Sequence, residues 1–240
     1  MVCGNETRDT DTPACRSSHL PTGRHFGVQR LPGCFVGILN MGHRAIFLDR
    51  DGTLNEEVGY VNHIERFTLL PRVGQAIRLL NQHEWKVVVI TNQSGVARGY
   101  FPESLIHQVH QKMQDLLKRE GAYLDGIYYC PHHPDIGVPP YRQKCRCRKP
   151  APGLIEEAVK TLNLDPSRSY VIGDRGGDIE FAHQVGAKAI LVLTGYGKGE
   201  WEYFRDQWKV KPEHVAEDLF EAVQWILHQE WLKTNLEKGE

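Results

Sequence analysis

The chain has 240 residues, with 29 Lys and Arg against 30 Asp and Glu, a net charge of -1 and an isoelectric point near 6.9. This balance argues against a generally electrostatic nucleic-acid binder, although a local basic patch stays open. No apolar run reaches bilayer-spanning length, and the longest early one, residues 34–39, is too short and too far from the first residue for a signal-peptide core. The expectation is one α/β domain with an extension, resident in the cytoplasm and off the membrane.

Residues 1–40 are rich in Thr, Ser, Gly, Pro and Arg and show no sustained periodicity. They are expected to be a disordered, dispensable leader, since Met41 directly precedes the first patterned segment. Residues 41–240 are expected to form the single domain. The first buried strand is "AIFLD", which runs into "DRDGTLN". Asp49 and Asp51 stand two apart there, on one side of an extended segment that turns at Gly52. Helical spacing follows in "RVGQAIRLLNQH", then a second strand, "VVVIT". That strand ends in Thr91, Asn92, Gln93 and Ser94, a row of small donors able to hold phosphate oxygens.

The helix "PESLIHQVHQKMQDLLKRE" leads to a third strand, "IYYC", and then to a polar, Pro-rich loop. Cys130 and His132 open this loop and Cys145 and Cys147 close it, in the pattern C-x-H, twelve residues, C-x-C. Three thiolates and one imidazole complete a tetrahedral Zn²⁺ shell with no open position, so such a metal is structural. Buried thiols, or one disulfide with a cysteine left over, are the alternatives, and His133 is an alternative ligand that the repeated one-residue gap disfavours. Lys149 follows at once, before the helix "PGLIEEAVKTLN", whose N-terminus adds positive potential for an anion. A fourth strand, "YVIGD", carries Asp174 and leads to Asp178 and the helical "DIEFAHQVG". "AILVL" is the fifth strand, and an amphipathic helix is predicted over 213–233 with Val215, Leu219, Val223, Ile226 and Leu227 on one side.

Strands alternating with helices predict a doubly wound, mostly parallel sheet, with ligands at the carboxyl ends of its strands. Asp-Gly and Gly-Asp are ordinary turn formers. Carboxylates gathered at one sheet edge, however, repel one another unless a hard cation neutralises them, and Mg²⁺ suits that task because it shares its shell with water and phosphate.

In this order the segments "DRDGT", "ITNQS", "RKP" and "GDRGGD" resemble the signature of the haloacid dehalogenase superfamily, over roughly residues 44–195. The resemblance implies a Rossmann-like core and a phosphotransferase working through an aspartyl-phosphate. It implies Asp49 as nucleophile and Asp51 as general acid and base, with Thr91 and Lys149 holding the transferring phosphoryl group. Mg²⁺ would lie between Asp49, the backbone carbonyl of Asp51 and Asp174, with Asp178 behind them. Only about forty residues separate Asp51 from Thr91, so no separate cap domain is expected and selection falls to the "NEEVGYVNH" flap and the zinc loop at residues 130–147.

The cysteine loop directly ahead of "CRKP" is similar to the branch of heptose bisphosphate and histidinol-phosphate phosphatases, and "NQSGVARGYF" resembles the heptose side. Carried over, this implies substrate contacts at Glu57, Val58, Gly59, Tyr60, Asn92, Gln93, Ser94, Arg98, Arg148 and Arg175. Arg175 departs from the lysine common in relatives, a change of geometry at constant charge. Independently, a bisphosphate needs cations at its non-reacting phosphate, which Arg98 and Arg148 supply; Arg142 and Arg146 read as solvated charges. The expected activity is removal of the C7 phosphate of a heptose 1,7-bisphosphate by a monomer, with a small-molecule substrate and no nucleic-acid partner. Histidinol-phosphate phosphatase is the nearest alternative. A nucleic-acid 3′-phosphatase and a non-catalytic zinc module binding nucleic acid are more distant ones.

Overall fold

In the computed structural model, residues 42–239 are described; the expected disorder of residues 1–40 falls outside them. Six strands form one parallel sheet in the order β3-β2-β1-β4-β5-β6. They are β1 (Ala45–Leu48), β2 (Lys86–Asn92), β3 (Gly126–Cys130), β4 (Tyr170–Gly173), β5 (Lys188–Val192) and β6 (His214–Ala216). The helices are α1 (Val73–Gln82), α2 (Glu103–Arg119), α3 (Gly153–Leu162), α4 (Gly176–Gln184), the single turn α5 (Gly197–Gly199) and α6 (Leu219–Lys238). The five strands read from the sequence are all present, and the doubly wound class holds.

The central strands carry unbroken β-branched and aromatic runs because both faces of the sheet are covered. Ile46 and Leu48 of β1 pack on one side with Ile77 of α1, Val109 of α2 and Val223 of α6. Ala45 and Phe47 pack on the other with Leu154 of α3 and Phe181 of α4. The chain runs outward from β1 through β2 to β3, then returns to place β4 beside β1. That reversal opens a crevice at the carboxyl ends of β1 and β4, where open α/β sheets bind ligands. Parallel pairing aligns Leu48 with Ile172, and the Asp49 amide donates to the Ile172 carbonyl at 3.0 Å. The residues following both strands are thereby brought side by side.

The predicted helix over 213–233 needs correction at its start. Residues His214–Ala216 form the edge strand β6, paired with β5, so Val215 lies on the sheet and the helix begins at Leu219. The reason is a side-chain cap at Asp218: its Oδ1 accepts the Glu221 amide at 2.9 Å, and Glu221 Oε2 accepts the Glu217 amide just ahead of the cap at 2.8 Å. Helix α4 begins two residues earlier than "DIEFAHQVG", at Gly176. Among the described residues, no helix is long and apolar enough to cross a membrane.

Candidate active site and cysteine cluster

A cavity of about 340 Å³ lies at the crevice, lined by Asp49 and Asp51 after β1 and by Thr91, Asn92, Gln93 and Ser94 at the end of β2. Lys149 ahead of α3 and Asp178 on α4 complete its floor, while Glu57, Gly59, Tyr60, Arg98, Arg148 and Arg175 form its rim. Of the residues predicted from sequence, Asp174 sits beneath this floor at 0 % exposure, and Val58 packs against the core below the rim.

Carboxylate oxygens of Asp49, Asp174 and Asp178 lie within 4.8 Å of one another. Lys149 Nζ bridges Asp49 Oδ1 at 2.8 Å and Asp178 Oδ1 at 2.7 Å, with little exposure of any of the three. Burial lowers the proton affinity of Lys149, but the charges of Asp178 and Asp49 prevail and raise it, so the side chain is a fixed cation. Burial, followed by the charge of Asp49, pushes Asp174 up to about 8. Asp49 is raised as well, mainly by burial, with Lys149 opposing. One lysine therefore does not neutralise three buried carboxyls.

Two observations test whether a cation fits. Asp174 Oδ2 accepts the Tyr196 amide at 2.8 Å, whereas its buried Oδ1 has no partner. Gly52 (φ 81) and Gly195 (φ 56) press against the same carboxylate, where a Cβ at either would collide with it. The oxygen-only donors, the excess charge and the orphaned oxygen suit a hard divalent ion such as Mg²⁺.

Asp51 is placed differently from its neighbours. Its carboxylate turns away from the other three and takes hydrogen bonds from Arg50 (2.8 Å to each oxygen), Asn55 Nδ2 (3.0 Å) and Gln93 Nε2 (2.7 Å). Burial raises its proton affinity, yet the Arg50 charge and these hydrogen bonds outweigh burial and lower it.

Some predicted phosphate donors have partners within the protein. Asn92 braces the lysine loop: its Oδ1 accepts the Lys149 amide at 3.0 Å and its Nδ2 donates to the Lys149 carbonyl at 3.1 Å. Gln93 Nε2 also donates to Thr91 Oγ1 at 3.0 Å. On the rim, Arg175 stacks over the Tyr196 ring at 3.8 Å, with Glu57 at 4.0 Å, and the buried Nε of Arg98 has no partner. Tyr196, joined by its amide to Asp174 and by its ring to Arg175, was missed by sequence reading, because "GYGKGEWEYF" follows no period.

The cysteine loop follows β3. Cys130, His132, Cys145 and Cys147 converge, and no disulfide joins the three cysteines. The Sγ atoms of Cys130, Cys145 and Cys147 lie 3.2–3.5 Å apart, and His132 Nδ1 is 3.3 Å from Cys147 Sγ and 3.7 Å from Cys130 Sγ. A tetrahedron with Zn–S bonds of about 2.3 Å has edges of about 3.8 Å, near these separations. Burial depresses the proton affinity of His132, favouring the neutral imidazole a metal needs. His133 points elsewhere, its Nδ1 accepting the amides of Asp135 at 3.1 Å and Ile136 at 3.0 Å. Arg148 Nη1 donates to the His132 carbonyl at 3.2 Å, so the cluster reaches the active-site rim directly. Arg146 pairs with Glu156 and Arg142 is exposed; neither lines the cavity.

Comparison with known proteins decides the family. D-glycero-beta-D-manno-heptose-1,7-bisphosphate 7-phosphatase of Haemophilus ducreyi is 48 % identical over 157 residues, covering 65 % of this chain and 86 % of the relative. The D-glycero-D-manno-heptose-1,7-bisphosphate 7-phosphatase of Thermosynechococcus vestitus is 42 % identical over 194 residues, covering 78 % and 96 %. The chain belongs to this phosphatase family. A family model described as HAD-hydrolase-like matches residues 146–222. Among solved structures, the D,D-heptose 1,7-bisphosphate phosphatase from B. bronchiseptica complexed with magnesium and phosphate is 34 % identical with a TM-score of 0.69. That match covers 78 % of this chain and 99 % of the other.

Proposed function

We propose that this member of the family is a Mg²⁺-dependent phosphatase that removes the C7 phosphate of D-glycero-D-manno-heptose 1,7-bisphosphate through an aspartyl-phosphate. The observation that carries this reading is the division of the cavity: an acidic floor with one fixed lysine, and a rim bearing Arg98, Arg148 and Arg175. A monophosphate needs only the floor. The rim supplies cations for a second, non-reacting phosphate. The family relatives support the choice of sugar over histidinol phosphate.

Asp49 is the nucleophile. Its carboxylate attacks phosphorus, the ester P–O bond breaks, and Asp51 delivers a proton to the departing sugar oxygen. Water then attacks the aspartyl-phosphate, Asp51 takes a proton from that water, and inorganic phosphate leaves with Asp49 regenerated. Asp51 starts as a carboxylate in this arrangement, and a phosphate entering beside it raises its proton affinity by like-charge repulsion. It therefore takes up a proton from solvent as the first substrate binds, gives it to the leaving oxygen, and regains one from the attacking water. Lys149 and Thr91 hold the transferring group. Asp49, the Asp51 carbonyl and Asp174, with Asp178 alongside, would hold Mg²⁺, which would supply positive charge to the oxygens of the transferring group.

The cysteine cluster is a structural Zn²⁺ site that fixes the loop from which Arg148 and Lys149 extend. On this reading the protein acts as a monomeric single domain on a small molecule, and its near-neutral net charge of -1 supports a reading without nucleic acid. Its cytoplasmic product feeds nucleotide-activated heptose synthesis for lipopolysaccharide core. The test is ³¹P NMR of the heptose bisphosphate with enzyme and Mg²⁺. The C7 signal is expected to give way to inorganic phosphate while the C1 signal persists, and loss of the C1 phosphate first would contradict the reading.

A further inference from the structure

Arg50 lies between the two aspartates that the mechanism uses, and the mechanism gives it no part. Its side chain is long, permanently charged and 2 % exposed, and it does not line the cavity. Burying a guanidinium costs several kcal/mol unless its donors are paired. Here the pairing is specific. Nη2 lies 2.8 Å from each oxygen of Asp51 and 3.0 Å from Gln93 Oε1, and Nη1 lies 3.5 Å from His110 Nε2 on α2. His110 is buried, and burial, with the Arg50 charge, depresses its proton affinity well below the ordinary range, so the imidazole is neutral and its Nε2 can accept. The Arg50 backbone is fixed as well, its carbonyl accepting amides from Leu54 at 2.8 Å and Asn55 at 3.1 Å.

This pairing also orients Gln93. A guanidinium only donates, so Gln93 must present Oε1 to Arg50 and therefore Nε2 to the other side. There Nε2 meets Asp51 Oδ2 at 2.7 Å and Thr91 Oγ1 at 3.0 Å. Both oxygens of Asp51 are thus held from behind, while the side chain keeps 22 % exposure toward the cavity. A carboxyl gripped in this way cannot rotate freely, and its open edge meets whatever enters the cavity.

We propose that Arg50, backed by His110 and acting through Gln93, is a positioning residue that fixes Asp51 in the orientation needed to protonate the leaving oxygen. The proposal rests on the phosphatase reading of the site. It goes beyond that reading by making the buried layer under the cavity a determinant of the acid step.

Leaving-group dependence separates positioning from structural support. An alkyl leaving group such as the sugar needs the proton, whereas p-nitrophenolate departs without one. The parameter kcat/KM reports the steps through the first bond cleavage, before the later hydrolysis in which Asp51 acts as base. Arg50→Lys keeps the charge but loses the fork that spans Asp51 and Gln93. It is expected to lower kcat/KM for heptose 1,7-bisphosphate about 10²-fold and that for p-nitrophenyl phosphate less than about threefold. His110→Gln, at the far end of the network, is expected to give the same split at roughly tenfold for the sugar, and it decides the matter if Arg50→Lys does not fold. Equal losses on both esters would overturn the proposal and mark the network as structural support. Wild-type protein inert toward both esters would overturn the phosphatase reading on which the proposal rests, a result distinct from any pattern among active variants.

Discussion

The acidic crevice and the cysteine cluster are built on opposite plans. The crevice draws Asp49, Thr91, Lys149, Asp174 and Asp178 from four separate segments, each set by a strand end or helix start that the buried sheet holds. The cysteine cluster draws its four side chains from the last residue of β3 and the loop that follows it, a loop that exposes Ile136 and Val138 and has little core of its own. Hydrogen bonds at 3.0–3.1 Å between His133 and its partners Tyr141 and Gln143, and at 2.9 Å from Tyr141 Oη to Glu103, are among the ties that hold it. In the crevice the fold forces like charges together and a cation relieves them. In the loop, on the proposed reading, the metal itself would supply the order. The first site is therefore expected to survive loss of a ligand as a fold and to fail as a catalyst, whereas the second is expected to lose its structure.

Three experiments can break that contrast, from the largest expected effect to the smallest. Asp49→Asn removes the proposed nucleophile and one of three crowded carboxylates. Phosphate release should fall more than about 10⁴-fold with Tm unchanged or raised, and near wild-type turnover would contradict the mechanism. Cys145→Ser should lower zinc content, measured by metal analysis, and open residues 130–147 to proteolysis. Because Arg148 and Lys149 continue from that loop, turnover should also drop by roughly 10–10²-fold although zinc touches no substrate. Purified protein without zinc, indifferent to chelation, would refute the cluster's role.

The third experiment is a pH series of thermal melts with and without Mg²⁺. Metal-free Asp174 keeps its proton up to about 8, while the unfolded carboxyl loses it in the ordinary range near 3.8. Between those values the native state binds more protons than the unfolded chain, so stability of the metal-free protein falls as pH rises. Mg²⁺ should restore Tm most at the alkaline end, by about 2–4 °C. An equal gain at every pH would show that the carboxyls are already ionised without metal.

Much of this was legible in the sequence for physical reasons. β1, β2, β4 and β5 are buried on both faces, so they read as unbroken apolar runs, and the crevice aspartates follow β1 and β4 as breaks in those runs. Cysteine and histidine at one-residue gaps carry their own chemistry. What escaped lacked a local signal. The three residues of β6 were absorbed into a predicted helix, although Asp218 and Glu221 mark its true start. Arg50 has no role in the sequence reading, because only the fold brings Gln93 and His110 to it. Asn92 and Gln93 looked like phosphate donors, and tertiary contacts alone show that they also brace Lys149 and Asp51.

The most direct test of the whole account is a side-by-side kcat/KM measurement with Mg²⁺. Its substrates are the two anomers of heptose 1,7-bisphosphate, histidinol phosphate and a 3′-phosphorylated oligonucleotide. The cationic rim predicts that one heptose bisphosphate anomer is preferred over histidinol phosphate and the oligonucleotide by at least about tenfold, the worth of one charge-assisted hydrogen bond to the second phosphate. A preference for histidinol phosphate would contradict it.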